Sequence, residues 1–282
     1  MKTKIILFFS LFIFSIYGNA QFSSLPYDSE EFSKFKASKT FAVLTGDHNF
    51  DTQLIAAMSE SWKVTPFETI KGSDFEKILE DKDVSASYLF MSSKGGLILI
   101  NGGGKTLGQC HVLTASDASQ RTNEPNPTDC AYRLRNMIES MLRCMDLIQQ
   151  NNLKGRPWNI DKYLRNIYNS NAGKMPSRTL LFCEDSLGDL LTKTDIAGTY
   201  PYKYEMCSKE KIAQVIAEKS TEYYYFQPII NQFKNLSVVD PSNGEIIYYY
   251  AVLDFELPAS QALKVKKGNI EDMAKQIKAK KK

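Results

Sequence analysis

Two histidines, five cysteines, a glycine-rich turn with lysine and threonine, and two runs of tyrosine are the features of this 282-residue chain whose chemistry has to be weighed. A nucleophile activated by histidine would have to use His48 or His111. His111 adjoins Cys110 on a strand-like stretch, and adjacent strand residues point to opposite faces. Neither histidine has a His, Cys or carboxylate partner at helical metal-ligand spacing, and Gly-x-Ser-x-Gly does not occur. Gly102-Gly103-Gly104-Lys105-Thr106 resembles a phosphate loop only in composition. A Walker A loop needs glycine where Leu99 stands, and here a strand follows instead of a helix, so the stretch reads as a hairpin turn. Asp47, Asp51 and Asp117 fall near expected strand ends, where ligands bind in α/β sheets, but capping and turn formation account for them. A carboxylate pair of the glycosidase kind is set in space and stays open. No catalytic residue, metal site or cofactor is predicted, and the balance leans away from an enzyme.

Cys110, Cys130, Cys144, Cys183 and Cys207 are odd in number, contain no CxxC, and sit mostly in apolar surroundings, which fits small buried hydrophobes better than zinc or thioredoxin-like chemistry. Cys183 and Cys207 lie on two strands expected to be neighbours, so they are the pair to join if a disulfide forms. In the last strand, Ile247, Tyr249, Ala251, Leu253 and Phe255 alternate as an apolar face, with Tyr248 and Tyr250 opposite. Tyr248, Tyr250 and, from the earlier run, Tyr224 are the candidate binding residues, an amphipathic platform of the kind that protein interfaces and sugar sites share.

Apolar residues at 43% and charged residues at 24% are globular values that exclude collagen-like and wholly disordered chains. Lys2 and Lys4, the apolar run 5–17, and the small residues Gly18 and Ala20 have the form of a secretory signal peptide, 1–20, cut after Ala20. Without Lys2 and Lys4 the formal charge of +3 falls to +1, so there is no bulk case for nucleic-acid binding. The apolar run is too short to anchor, and no later stretch is long enough, so no transmembrane segment is expected in the mature chain. A periplasmic or secreted location follows. The stretch 264–282 holds eight lysines against Glu271 and Asp272, a basic tail suited to an anionic surface.

The elements that would position these residues occur twice. Thr40 to Leu44, a helix with Leu54, Ile55, Met58 and Trp62, a strand at 67–70, a short helix after Ser73, a strand at 88–91 and a hairpin through residues 101–104 recur from Arg178 onward. Corresponding positions lie roughly 140 residues apart, which reads as a duplication. Each unit is then β-α-β-α-β-β-β with a mixed sheet, an α/β fold. The expected division is a first α/β domain at 21–152 ending in a long helix near 129–151, a linker with a short helix at 153–177, a second α/β domain at 178–262, and a basic amphipathic tail at 263–282.

The order Lys39-Thr40-Phe41-Ala42-Val43-Leu44, helix, Pro66-Phe67-Glu68-Thr69-Ile70, short helix, Tyr88-Leu89-Phe90, hairpin resembles the TolB N-terminal-like and CsgG-like α/β domains of bacterial envelope assembly proteins. Their Gly-Ala-Asp before the third strand is replaced by Ser85-Ala86-Ser87. The resemblance carries no functional residue across and implies a non-catalytic domain that binds another envelope protein. The expectation is an exported adaptor or assembly factor; the alternative is a secreted enzyme or glycan binder using the tyrosine-rich face.

Overall fold

A computed structural model describes residues 29–81, 85–91, 96–104, 106–111, 127–153, 157–187, 191–230, 234–252 and 265–280. The expected signal peptide, Lys105 and Asp117 lie outside the described residues, as do the side chains of Cys110 and His111.

The first unit runs α1 (Ser29–Lys36), β1 (Lys39–Leu44), α2 (His48–Ser61), β2 (Phe67–Lys71), α3 (Gly72–Asp81), β3 (Ala86–Met91), β4 (Gly96–Asn101) and β5 (Thr106–His111). A 3-10 segment, Pro127–Arg133, leads into the long helix α4 (Leu134–Gln150), followed by α5 (Pro157–Ser170) and a second 3-10 segment, Ala172–Ser177. The second unit comprises β6 (Thr179–Cys183), α6 (Glu184–Leu187), α7 (Lys193–Ala197), β7 (Tyr204–Cys207), α8 (Lys209–Ala217), β8 (Tyr223–Ile230), β9 (Lys234–Val239), β10 (Ile246–Val252) and α9 (Lys267–Lys280).

Both units have the fold read from the sequence. The first sheet has the order β2-β1-β3-β4-β5 and the second β7-β6-β8-β9-β10, each with three parallel strands and an antiparallel hairpin. The registers agree as well. Phe41 lies opposite Tyr88 and Val43 opposite Ile70 in the first sheet, just as Leu181 lies opposite Tyr225 and Cys183 opposite Cys207 in the second.

Central parallel strands are covered on both faces, which is why β1 and β6 read as nearly continuous apolar runs. On one face of the first sheet, Phe32 and Phe35 of α1, Leu54 and Met58 of α2, and Met137 and Met141 of α4 form the main core. On the other face, Phe75 and Ile78 of α3 rest on Val43, Tyr88 and Ile100. The second sheet repeats the sandwich. Ala172, Ile196 and Ile270 of the second 3-10 segment, α7 and α9 cover one face, and Ile212, Val215 and Ile216 of α8 the other.

Three expectations are modified. The helix expected after β6 is two short pieces, α6 and α7, and Thr192 starts the second with a capping box to Asp195. The segment 153–177 is packed: Leu164 and Tyr168 enter the first core, whereas Ala172 and Met175 enter the second. Its Asn and Ser residues signalled a loose connection, but the Asn169 side chain accepts the Tyr249 amide at 2.8 Å and so belongs to the sheet edge. The basic tail is a docked helix, with Ile270, Met273 and Ile277 completely buried.

Candidate functional site

The two units meet along α4. This helix is amphipathic in sequence, with Leu134, Met137, Ile138, Met141, Met145 and Ile148 on one face. The structure buries both sides of its first half, while Arg143, Asp146 and Gln150 farther along are exposed. Leu134, Met137, Ile138, Met141 and Met145 point into the first core, while Arg135, Asn136 and Ser140 are buried against the second unit. Arg135 Nη2 donates to the carbonyl oxygens of Ile216 at 2.6 Å and Pro241 at 2.5 Å. The Asn136 amide donates to the Tyr225 hydroxyl and the Asp240 carbonyl, Ser140 to the Gly244 carbonyl, and Arg143 to the Asn243 carbonyl. The turn between β9 and β10 therefore presents a row of carbonyls to one helix. Sequence reading missed these residues, and their only signal was polar side chains recurring at helical spacing.

Carboxylates flank the same seam. Glu60 of α2 pairs with Lys219 at 2.5 Å and with Arg135 at 3.4 Å. The Lys219 hydrogen bond, with the charges of Arg135 and Lys219, holds the Glu60 carboxyl below the usual range. Burial instead raises the Glu139 carboxyl, although Arg135 lies 3.9 Å away and Ser61 donates to it. Beside them opens a cleft of about 430 Å³ lined by Asn49, Gln53, Glu60, Tyr132, Arg135 and Ala213 among others. These charges are paired with one another or bonded to backbone, an arrangement that holds two units together.

The tyrosines named from the sequence are placed differently. Tyr248 is 1% exposed and Tyr224 3%, both in the second core, and Tyr250 is half-buried against it. The expected open platform is thus a packed face under α9 and its neighbours. A register shift between Ile246 and Tyr248 explains part of the discrepancy: Ile247 joins Tyr248 in the second core, while Ile246 and Tyr249 face the first, beside Tyr168. Strand β10 is consequently apolar on both sides and serves as packing between units.

Cys183 and Cys207 are the expected cross-strand neighbours, yet both thiols are free and buried. They occupy the place that Val43 and Ile70 hold in the first sheet, an apolar pair position. Burial, with a contribution from Cys183, pushes the Cys207 thiol up to about 12, which starves it of the thiolate that disulfide exchange requires. Asp47 caps α2 by accepting the Phe50 amide, and Asp51 accepts the Thr45 and Gly46 amides and the Thr45 hydroxyl, so both acids shape the loop after β1. Among the described residues, no cluster of three or more His, Cys, Asp or Glu could hold a metal ion, and no helix is long and apolar enough to cross a membrane.

One surface separates the units. On the α8 side of the second sheet, Leu181, Cys183, Cys207, Ile212, Tyr225 and Val239 are all buried, and Tyr132 from the first 3-10 segment packs on them. On the equivalent α3 side of the first sheet, Phe41, Ile70, Phe75, Ile78, Phe90 and Ile98 remain partly exposed. Comparison with protein family models, with curated proteins and with solved structures found no match for this chain.

Proposed function

We propose that the chain is an exported, non-catalytic adaptor or assembly factor of the bacterial envelope, and that the α3 face of its first unit takes a protein partner. The observation that carries this reading is the contrast between the half-exposed aromatic and aliphatic side chains of that face and their fully buried counterparts in the second unit. Partly exposed apolar side chains gathered on one face are suited to an interaction surface in a folded chain. The envelope location rests on the signal-peptide form of residues 1–20 and on the resemblance to TolB N-terminal-like and CsgG-like domains. The alternative, a secreted enzyme or glycan binder, relied on a tyrosine platform, and Tyr224 and Tyr248 are enclosed in the second core. Chemical cross-linking in intact cells followed by mass spectrometry tests the adaptor reading. A recurring neighbour linked near Lys71 or Lys77 is expected, and recovery of the chain with no recurrent protein neighbour overturns it.

A further inference from the structure

We propose that the open α3 face receives the C-terminal helix α9 of a second copy of the chain, so that copies associate head to tail. This rests on the protein-binding reading above and gives the partner an identity. Three observations point to it.

The molecule itself displays what covers a face of this kind. In the second unit the corresponding face lies under the first 3-10 segment and the start of α4, with Tyr132 on the apolar cluster and Arg135 bonded to the Ile216 and Pro241 carbonyls. The first unit presents the same strand order, the same registers and a hairpin in the same place.

The second unit also owns a counterpart of the covering helix. Helix α4, behind the first 3-10 segment, and helix α9 each follow the last strand of their sheet, and each docks on its own unit by a similar stripe: Ile138, Met141 and Met145 in one, Ile270, Met273 and Ile277 in the other. With the stripes aligned, Arg135, Glu139 and Arg143 of α4 answer to Lys267, Glu271 and Lys275 of α9. Lys267 and Lys275 are exposed on α9, whereas Arg135 is used up within the seam. A chain that covers its second unit with α4 therefore carries one more helix of the same pattern at its other end.

Charge agrees with this pairing. The sequence of helix α3 holds Asp74, Glu76, Glu80 and Asp81 against Lys77, while in β2 Glu68 is paired with Lys39 and Lys71 ends the strand. Helix α9 carries Lys267, Lys275, Lys278 and Lys280 against Glu271 and Asp272, and two more lysines end the sequence. Within one chain α3 packs on β1 and β2, whereas α9 packs on the second 3-10 segment and α7, so acidic and basic helices belong to different units. Opposite potentials on two such surfaces favour encounter and fix orientation. Joining unlike surfaces gives a heterologous contact, which propagates beyond a dimer unless the rotation closes a ring.

Sedimentation velocity on the mature chain over a range of concentrations reads the association. The average mass should rise with concentration past that of a dimer and fall back as salt is raised. A carbodiimide, applied to a mixture of ¹⁴N- and ¹⁵N-labelled chains, should give mixed-isotope links from Asp74 or Glu68 to lysines of α9. The double variant Lys278→Glu/Lys280→Glu changes only exposed side chains, so it should keep its fold while self-association weakens roughly tenfold. Adding Asp74→Lys to the partner copy should restore part of that loss. A single monomeric species at the highest soluble concentration overturns the proposal, as does an assembly whose links all join α9 to α9. A monomer that still captures one recurrent protein in cells would sink self-association and leave the adaptor reading standing.

Discussion

The hairpin turns of the two units carry a glycine at the same place, two residues before the last strand, and both are left-handed, Gly104 at φ +78° and Gly244 at φ +68°. Around Gly104 an added Cβ would meet nothing within 4 Å. At Gly244 it would lie 2.6 Å from the Asn136 carbonyl oxygen and 2.8 Å from Glu139 Cβ. One turn faces open space and the other is pressed against a helix. The same contrast runs through the α3 and α8 faces, and it teaches that identical topology can be used once for internal packing and once as free surface.

The largest test of that difference is valine at each glycine. Gly244→Val adds an overpacking clash to left-handed strain and should cost about 3–5 kcal/mol, whereas Gly104→Val should cost about 1–2 kcal/mol, both read from urea denaturation. Equal losses would mean that the seam around Gly244 yields easily. Next come equivalent strand positions. Leu181 is fully buried and Phe41 half-exposed, so Leu181→Ala should lose about 3 kcal/mol and Phe41→Ala about 1 kcal/mol despite the larger ring. A reversal would show that the α3 face is covered after all.

Arg135→Leu takes the guanidinium donor from the Pro241 carbonyl and from the Ile216 carbonyl, which keeps the Lys219 amide, and about 2–3 kcal/mol should be lost from the seam. Calorimetry should then resolve two transitions in place of one, since the units no longer unfold together. A smaller effect is pH-dependent. The Glu60 carboxyl is lower in the folded chain than in the unfolded one, so its stabilisation is complete above the ordinary carboxylate range and lost as pH falls through the folded value. Glu60→Gln should therefore flatten the acid-side decline in Tm between pH 7 and pH 3. Glu60 is largely open to solvent, which limits the change to under about 1 kcal/mol. The raised Glu139 carboxyl acts in the opposite sense, because its protonation on acidification favours the folded state. Smallest of all, Cys207 should resist alkylation at pH 8 in the folded chain and react fully in denaturant, as counted by intact mass.

Much of this fold was legible because strands covered on both faces leave unbroken apolar runs such as Phe41-Ala42-Val43-Leu44 and Leu180-Leu181-Phe182. Capping gave further punctuation, as at Asp47 before α2. The seam was not legible. Arg135, Asn136 and Ser140 have the residue types of a solvated helix face, and only the carbonyls of the β9–β10 turn, about a hundred residues later, turn them into buried donors. The tyrosine face misled for a related reason. Strict alternation through Ile247 and Tyr249 ignores the register shift at the start of β10, and strand periodicity says nothing about which helices will cover the outer side.

Local hydrophobic period and turn chemistry are properties of short stretches, so sequence alone determined two α/β units, each a mixed sheet ending in a hairpin, and the existence of a long intervening helix. Which faces stay open depends on contacts between residues far apart in the chain, whose packing no local period encodes. Tertiary structure alone decided that α4 packs against the second unit, that Tyr224 and Tyr248 lie inside, and that the side chains on the α3 face of the first unit stay partly exposed.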